Sequence, residues 1–273
     1  MFLQRILVVA ILLPLGVALI MAGGLWFAAL VALLLGLAVW EYAALFQQAG
    51  HQPARRWMLA GVLALVLVRY LAGSQHDAAV LVAFLLLAMG LHLLAYERGR
   101  DAAPTDFLVT LSGGIYIGLL GSYMVLLREL PEGQWWLLLS LSAVWLADSA
   151  AYLFGVRLGR HKMTPRLSPH KSWEGYLAGV LFGVLGTPLL LAWFQRLGLP
   201  AAAGFNSANA AILGAAMSVL PTLGDLGESM IKRHVGQKDS GSLLPGHGGI
   251  FDRIDSWLWA MPIAYYLISY VFV

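Results

Sequence analysis

Four carboxylates in the last third of the chain are spaced so that they can share one chemical task. On a helix, Asp225 and Glu228 lie on the same face as Lys232, by i, i+3 and i+7 spacing. Asp252 and Asp255 are related in the same way at the start of the last apolar run. Since Mg²⁺ is held by few carboxylates together with substrate phosphates, this pattern indicates magnesium-dependent phosphate chemistry.

The segment that joins these acids, residues 229–254, is basic and rich in glycine. Five glycines lie between residues 236 and 249, and they allow the backbone to approach a ligand closely and to adopt positive φ. Segments longer than the usual helix connection, placed on one side of a membrane, are where a site is expected.

A second polar segment, residues 157–173, carries five cations before the first acid, Glu174. Ser168 and Ser172 alternate with basic residues that include Lys171, and Glu174 opens the next apolar run. Hydroxyls, helix-start amides and cations together suit a polyanion such as a phosphate chain. A positively charged anchor for lipid headgroups would explain the same cations, so both interpretations stay open.

Asp148 lies inside an apolar run. A carboxylate within a membrane is expensive and is functional by default. The alternative is a structural polar network with Ser149 and Tyr152. The neighbouring basic segment favours a functional role.

The composition places these groups in a membrane protein. Of 273 residues, 60% are hydrophobic and 11% are charged, whereas soluble domains carry roughly 25% charged residues. Disorder needs low hydrophobicity and is excluded, and the absence of cysteine excludes a disulfide scaffold and thiolate chemistry. The fold class expected is all-α and polytopic, a single membrane domain over residues 1–273.

A spanning helix needs about 20 apolar residues. Nine runs are predicted to span the membrane: 3–22, 24–46, 57–73, 78–96, 107–127, 135–156, 174–195, 210–228 and 255–273. The break at Gly23-Gly24 is the weakest, and Pro221 predicts a broken or re-entrant helix in the run 210–228.

The positive charges predict the orientation. With nine spans and a cytoplasmic N-terminus, 14 of the 17 lysines and arginines fall inside. Residues 1–134 are expected to form scaffold helices, and residues 135–273 the catalytic helices and cytoplasmic loops. Glu41, Arg69 and His92 sit near helix ends in the first half, where snorkelling would explain them.

Residues 229–255 read SMIKRHVGQKDSGSLLPGHGGIFDRID. This segment resembles the signature of the phosphatidate cytidylyltransferases (CDP-diacylglycerol synthases) of bacterial type, and Asp148, the segment 168–175 and Gly224-Asp225 also fit that family. His170 is the one local departure. The resemblance implies that CTP and phosphatidic acid react to give CDP-diacylglycerol and pyrophosphate at the cytoplasmic face of the inner (plasma) membrane. It implies a homodimer in the lipid bilayer and no nucleic-acid partner.

On this basis the predicted metal ligands are Asp225 and Asp252, with Mg²⁺ as the cofactor and a monovalent cation as a second candidate ion. Weaker ligand candidates are Asp148, Glu228, Asp239 and Asp255. Cations expected to neutralise pyrophosphate or lipid phosphate are Lys232, Arg233, Lys238 and Arg253. Residues expected to hold the nucleotide or its metal are Ser168, Lys171, Ser172, Glu174, His247, Gly248 and Gly249.

Two other functions stay open at this point. A CTP-dependent lipid kinase of the dolichol-kinase type is distantly similar in this region and would release CDP instead of pyrophosphate. An ion-coupled transporter would use Asp148 and Asp225 as an intramembrane relay. Against the transporter, the acids cluster at one face and the two halves of the chain are unlike, whereas transporters often contain internal repeats.

Overall fold

The computed structural model describes residues 2–200, 205–241 and 248–272, with side chains from residue 10 onward. Its α-helices are α1 (Phe2–Ala22), α2 (Gly24–Gln48), α3 (Arg55–Ala72), α4 (Asp77–Glu97), α5 (Ala103–Gly113), α6 (Tyr123–Glu129), α7 (Gly133–Leu158), α8 (Trp173–Arg196), α9 (Ser207–Val219), α10 (Pro221–His234) and α11 (Phe251–Tyr266). Short π-helices, Gly114–Leu119 and Leu267–Phe272, follow α5 and α11. The predicted all-α class is confirmed, with one addition, a small hairpin of strands β1 (Lys162–Thr164) and β2 (Ser168–Ser172).

Six helical stretches in the described part of the chain are long and apolar enough to cross a membrane. They are Gly24–Gln48, Asp77–Glu97, Ala103–Glu129, Gly133–Leu158, Trp173–Arg196 and Ser207–His234. The other three predicted runs also fold as helices, namely α1, α3, and α11 with its π-helical continuation. The chain is therefore multi-pass, and the prediction of nine crossings stays a prediction.

Two predicted helix breaks are present. Gly23 has φ 65°, a conformation that glycine adopts without steric cost, and it separates α1 from α2. The run 210–228 is interrupted at Leu220, because α10 begins at Pro221. Proline suits the first position of a helix, where its missing N–H has no intrahelical partner to lose.

The described chain forms two compact units, each discontinuous in sequence. The first unit contains Met1–Leu126 and Ile231–Ile254, and the second contains Leu127–Met230 and Asp255–Val273. The predicted division at residue 134 concerns function and stays a prediction. The first unit therefore groups residues 231–254, from the end of α10 to the start of α11, with the N-terminal helices.

Arg69 is a correction to the sequence analysis. It does not snorkel, because its side chain is buried and its Nε and Nη2 groups donate hydrogen bonds to the Asp77 carboxylate. Its Nη1 group donates to the Leu119 carbonyl at 2.9 Å and to the Ser122 hydroxyl at 2.9 Å. A buried guanidinium is tolerated here because its hydrogen-bonding groups have partners on neighbouring helices.

His92 is a second correction. Its ring is buried, with Nδ1 2.8 Å from the Ala88 carbonyl and Nε2 3.3 Å from the Thr110 hydroxyl. The side chain therefore joins α4 to α5 inside the first unit. The position of His92 near a helix end could not predict this role, because the role depends on the packing of α5 against α4.

Candidate active site

Three carboxylates from separate helices come together in the second unit. Asp148 belongs to α7, Asp225 to α10 and Asp255 to α11. The ammonium of Lys171, at the end of β2, lies 2.7 Å from the Asp225 carboxylate. Asp148 and Asp255 each lie within electrostatic range of both Asp225 and Lys171. The cluster thus combines three acidic groups with one close cation, a surplus of negative charge that suits a further cation.

Close backbone packing at Gly224 positions two members of this acidic cluster. A Cβ atom at Gly224 would lie 2.5 Å from the backbone carbonyl oxygen of Asp255. Real Cβ atoms essentially never approach so closely, so glycine permits the contact between α10 and α11. Asp225 is the next residue along α10, and this contact therefore fixes its separation from Asp255.

We expect Gly224→Ala to lower kcat by about 10- to 100-fold, since a displacement of about 1 Å at a catalytic constellation is worth that much. The matched control is Gly90→Ala in α4, because a Cβ atom at Gly90 would meet nothing within 4 Å. Turnover of both variants in detergent, with the melting temperature measured alongside, checks the expectation. Equal turnover in the two variants would contradict it.

The basic segment after α7 is folded, not extended. Lys162 pairs with Ser172 and Thr164 with Ser168 across the hairpin. Ser172 is the N-cap of α8, and its hydroxyl accepts a hydrogen bond from the Gly175 backbone N–H at 3.3 Å. N-caps of this type stabilise the start of a helix. The predicted helix start at this point is therefore confirmed.

Glu174 holds the same hairpin from the first turn of α8. Its carboxylate accepts hydrogen bonds from the backbone N–H groups of Arg160 and His161, and it contacts the His161 ring at 2.5 Å. Glu174 and Ser172 thus have local partners within the second unit. Their predicted contact with a nucleotide stays a prediction.

Asp252 organises a second group of residues, in the first unit. One carboxylate oxygen, Oδ1, lies 2.6 Å from the Lys232 ammonium. The other, Oδ2, accepts hydrogen bonds from the Ser240 N–H at 2.9 Å, the Ser240 hydroxyl at 2.8 Å and the Gly249 N–H at 2.8 Å. The Asp252 side chain is only 6% exposed. It therefore binds both Ser240 and Gly249, which belong to residues 235–250, the segment that we call the glycine-rich loop.

Glu41 of α2 binds the same loop, and the sequence analysis missed it. Its Oε2 atom accepts hydrogen bonds from the Phe251 N–H at 2.9 Å and from the Ser240 hydroxyl at 3.2 Å. The snorkelling expectation for Glu41 is therefore wrong. The signal that could have found it is the one applied to Asp148, namely an acid within an apolar run.

The remaining predicted residues fall into three groups. The exposed ones are Arg233, Lys238, Asp239 and Arg253, and their predicted contact with substrate stays a prediction. Glu228 is buried in the second unit, and Ser168 opens β2 there. Gly248 has φ 79° and packs against the Asp252 carboxylate, whereas His247 lies outside the described residues.

The two predicted metal ligands have different surroundings. Within the described ranges, no three histidine or carboxylate side chains are grouped so as to enclose a metal ion. Asp225 is 37% exposed and has two further carboxylates in electrostatic range, which suits a cation that keeps several of its waters. Asp252 is instead paired with Lys232. Their joint role in binding Mg²⁺ stays a prediction.

Comparison with known proteins identifies the family. The sequence model of the Cytidylyltransferase family matches residues 3–271. The chain belongs to that family. It is accordingly a nucleotidyltransferase, and the resemblance noted at residues 148–255 extends over almost the whole chain, including α2 and Glu41.

Individual relatives agree with the family match. A phosphatidate cytidylyltransferase of Synechocystis is 33% identical over 301 aligned positions, covering 97% of this chain and 96% of the relative. The Staphylococcus epidermidis protein of that name is 34% identical over 208 positions, or 75% and 76% of the two chains. The Staphylococcus aureus protein is 38% identical over 183 positions, or 65% and 66%.

Proposed function

We propose that this chain transfers the cytidylyl group of CTP to phosphatidic acid and releases pyrophosphate. The observation that carries the proposal is the family match over residues 3–271 in a chain with several membrane-spanning helices. A lipid phosphate is an acceptor that a membrane-embedded enzyme meets in its own bilayer. The relatives are named for the same substrate.

In this reaction a phosphate oxygen of phosphatidic acid attacks the α-phosphorus of CTP. The new bond joins that oxygen to the α-phosphorus, and the bond from the α-phosphorus to the bridging oxygen breaks, so that pyrophosphate leaves. The attacking oxygen is already ionised, and no strong general base is needed. Catalysis of this type is mainly positioning and neutralisation of charge.

The chain offers cations for this neutralisation in both units. Lys171 lies beside Asp225, and Lys232 lies beside Asp252. Exposed Arg233, Lys238 and Arg253 are the groups proposed to bind phosphate oxygens. Each lowers the repulsion between two anionic substrates, which is otherwise the main barrier to their approach.

Magnesium is the proposed cofactor. Asp225 and Asp252 are the residues proposed to hold it, with Asp148 and Asp255 supplying further negative charge beside Asp225. When bound, Mg²⁺ neutralises the triphosphate and polarises the phosphorus centre under attack. A monovalent cation beside it and a homodimeric assembly belong to the same proposal.

Isotope labelling tests the reaction. Purified protein in phosphatidic acid micelles is supplied with Mg²⁺ and with CTP labelled at the α- or the γ-phosphate. We expect the α-label in the lipid product and the γ-label in pyrophosphate. Transfer of the γ-label to lipid with release of CDP would identify a lipid kinase instead, and absence of both products would contradict the proposed reaction.

Nine membrane crossings with a cytoplasmic N-terminus are proposed for the topology, in a bacterial plasma membrane. The supporting observation is the distribution of 14 of 17 cations on one side. This arrangement exposes both polar segments to cytosolic CTP.

Because the chain has no cysteine, single cysteines can report the topology. We expect Pro165→Cys and Gln237→Cys to react with an impermeant thiol reagent only after the membrane is opened. Arg196→Cys, at the exposed end of α8, is the control and is expected to react in intact cells. Reaction of Pro165→Cys and Gln237→Cys from opposite sides would overturn the proposed site.

A further inference from the structure

Glu41 is an acid in a membrane helix whose carboxylate meets the glycine-rich loop. Its Oε2 atom accepts the Phe251 N–H and the Ser240 hydroxyl. Its Oε1 atom is buried and makes no hydrogen bond with the described residues. A buried carboxyl oxygen without a hydrogen bond is costly, so the presence of this side chain requires an explanation.

Ser240 connects this carboxylate to Asp252. The Ser240 hydroxyl lies 2.8 Å from Asp252 Oδ2 and 3.2 Å from Glu41 Oε2. One hydroxyl carries one proton and can donate to only one of these oxygens at a time. The backbone N–H groups of Ser240 and Phe251, which donate to Asp252 and Glu41 respectively, therefore make the fixed part of the connection.

Two glycines of the glycine-rich loop leave room for the Glu41 carboxylate. A Cβ atom at Gly241 would lie 2.7 Å from Glu41 Oε1, and one at Gly249 would lie 2.4 Å from Glu41 Oε2. Any larger side chain at either position would displace the carboxylate or the loop. The glycine at position 249 is therefore explained by packing against Glu41 and Ser240, before any contact with substrate is invoked.

The neighbouring residue strengthens the same contact. Tyr42 packs edge-on against the ring of Phe251, with ring centroids 6.0 Å apart. Phe251 is fully buried and opens α11, directly before Asp252. Two consecutive residues of α2 thus contact Phe251, which precedes Asp252: Tyr42 packs against its ring and Glu41 accepts its N–H.

We propose that Glu41 is a positioning residue for cytidylyl transfer. It holds Ser240 and Phe251, and these hold the Asp252 carboxylate in one orientation toward the Lys232 ammonium. The inference rests on the proposed function for its kinetic readout. It assigns a role in the site to a helix of the first half, outside the segments that carry the family signature.

The experiment compares Glu41→Ala, Glu41→Gln and the control Glu97→Ala, which alters an exposed glutamate at the end of α4. For each full-length variant in detergent, kcat, both KM values, the melting temperature and the rate of tryptic cleavage after Lys238 are measured. Lys238 lies within the glycine-rich loop, so its cleavage reports local release of that loop.

We expect Glu41→Ala to lower kcat by about 10- to 100-fold, with a smaller change in KM for CTP, and to accelerate cleavage after Lys238. Glu41→Gln keeps an amide oxygen that accepts the Phe251 N–H, and it is expected to restore most of the turnover and the slow cleavage. Glu97→Ala is expected to match the wild type in both measurements.

Three results would overturn the proposal. The first is wild-type turnover and cleavage in folded Glu41→Ala, and the second is a general loss of thermal stability without faster cleavage after Lys238. If Glu41→Ala does not fold, Glu41→Gln decides, because a folded but inactive Glu41→Gln would show that charge matters and positioning by hydrogen bonds does not. Failure of the proposed function would be recognised separately, because the wild type would then make no CDP-diacylglycerol. The rates of tryptic cleavage would still show whether Glu41 holds the glycine-rich loop.

Discussion

Replacing Asp225 by asparagine is expected to lower kcat by about 10²- to 10³-fold, the usual effect of removing one preorganised electrostatic group. The change keeps the shape of the side chain and removes its charge. Lys171 then loses the carboxylate 2.7 Å away, and the cluster with Asp148 and Asp255 loses one of its three acids. The Mg²⁺ concentration for half-maximal activity is expected to rise, and a Mg²⁺ titration of turnover measures it.

Asp101→Asn provides the matched control, since Asp101 lies in an exposed turn between α4 and α5. A double variant with Lys171→Met separates pairing from metal binding, because residues that act only on one another give strongly non-additive effects. Near-normal turnover of Asp225→Asn, with an unchanged Mg²⁺ requirement, would remove Asp225 from the proposed metal site.

Asp252→Asn is expected to have a comparable effect on kcat and a larger effect on stability. The amide can keep one acceptor for the Ser240 and Gly249 N–H groups, but its NH₂ group then faces the Lys232 ammonium, donor against donor. The Lys232–Asp252 pair is nearly buried, with side chains 11% and 6% exposed, and breaking such a pair costs about 3–5 kcal/mol. Thermal melting in detergent and steady-state kinetics measure the two effects.

Magnesium separates the structural and metal-binding parts of this result. A ligand that binds only the folded state raises its melting temperature. We expect Mg²⁺ with CTP to stabilise the wild type and Asp101→Asn, and to stabilise Asp252→Asn much less. If Asp252→Asn shows the full stabilisation and near-normal cytidylyl transfer, the assignment of Asp252 to the metal is wrong and its role is confined to the glycine-rich loop.

Different local contacts maintain the geometry around Asp225 and around Asp252. At Asp225 it is the close contact between α10 and α11, where no side chain fits between Gly224 and the Asp255 carbonyl. At Asp252 it is a set of hydrogen bonds from Ser240 and Gly249. The first is sensitive to added volume and the second to lost acceptors, so the variants proposed for each test its own physical cause.

Hydrophobic runs and the position of Pro221 were sufficient to predict the membrane class, the approximate helix positions and the helix break. These features depend on properties that one segment carries by itself: a membrane helix must satisfy its own backbone hydrogen bonds and be apolar over its length. The signature at residues 229–255 was likewise readable, since its acids, cations and glycines are close in sequence. The family match confirms the family that this signature indicated.

Only the tertiary structure decided which polar residues meet. Asp148, Asp225 and Asp255 come from three helices, and their grouping depends on how those helices pack. Glu41, Arg69 and His92 looked alike in the sequence, as isolated polar residues near helix ends. One proved to bind the glycine-rich loop and the other two to join scaffold helices. The sequence indicates that a polar side chain in an apolar run needs a partner, but it does not identify the partner. Glu41 and the Phe251 N–H are 210 residues apart in sequence, and only the packed fold brings them to 2.9 Å.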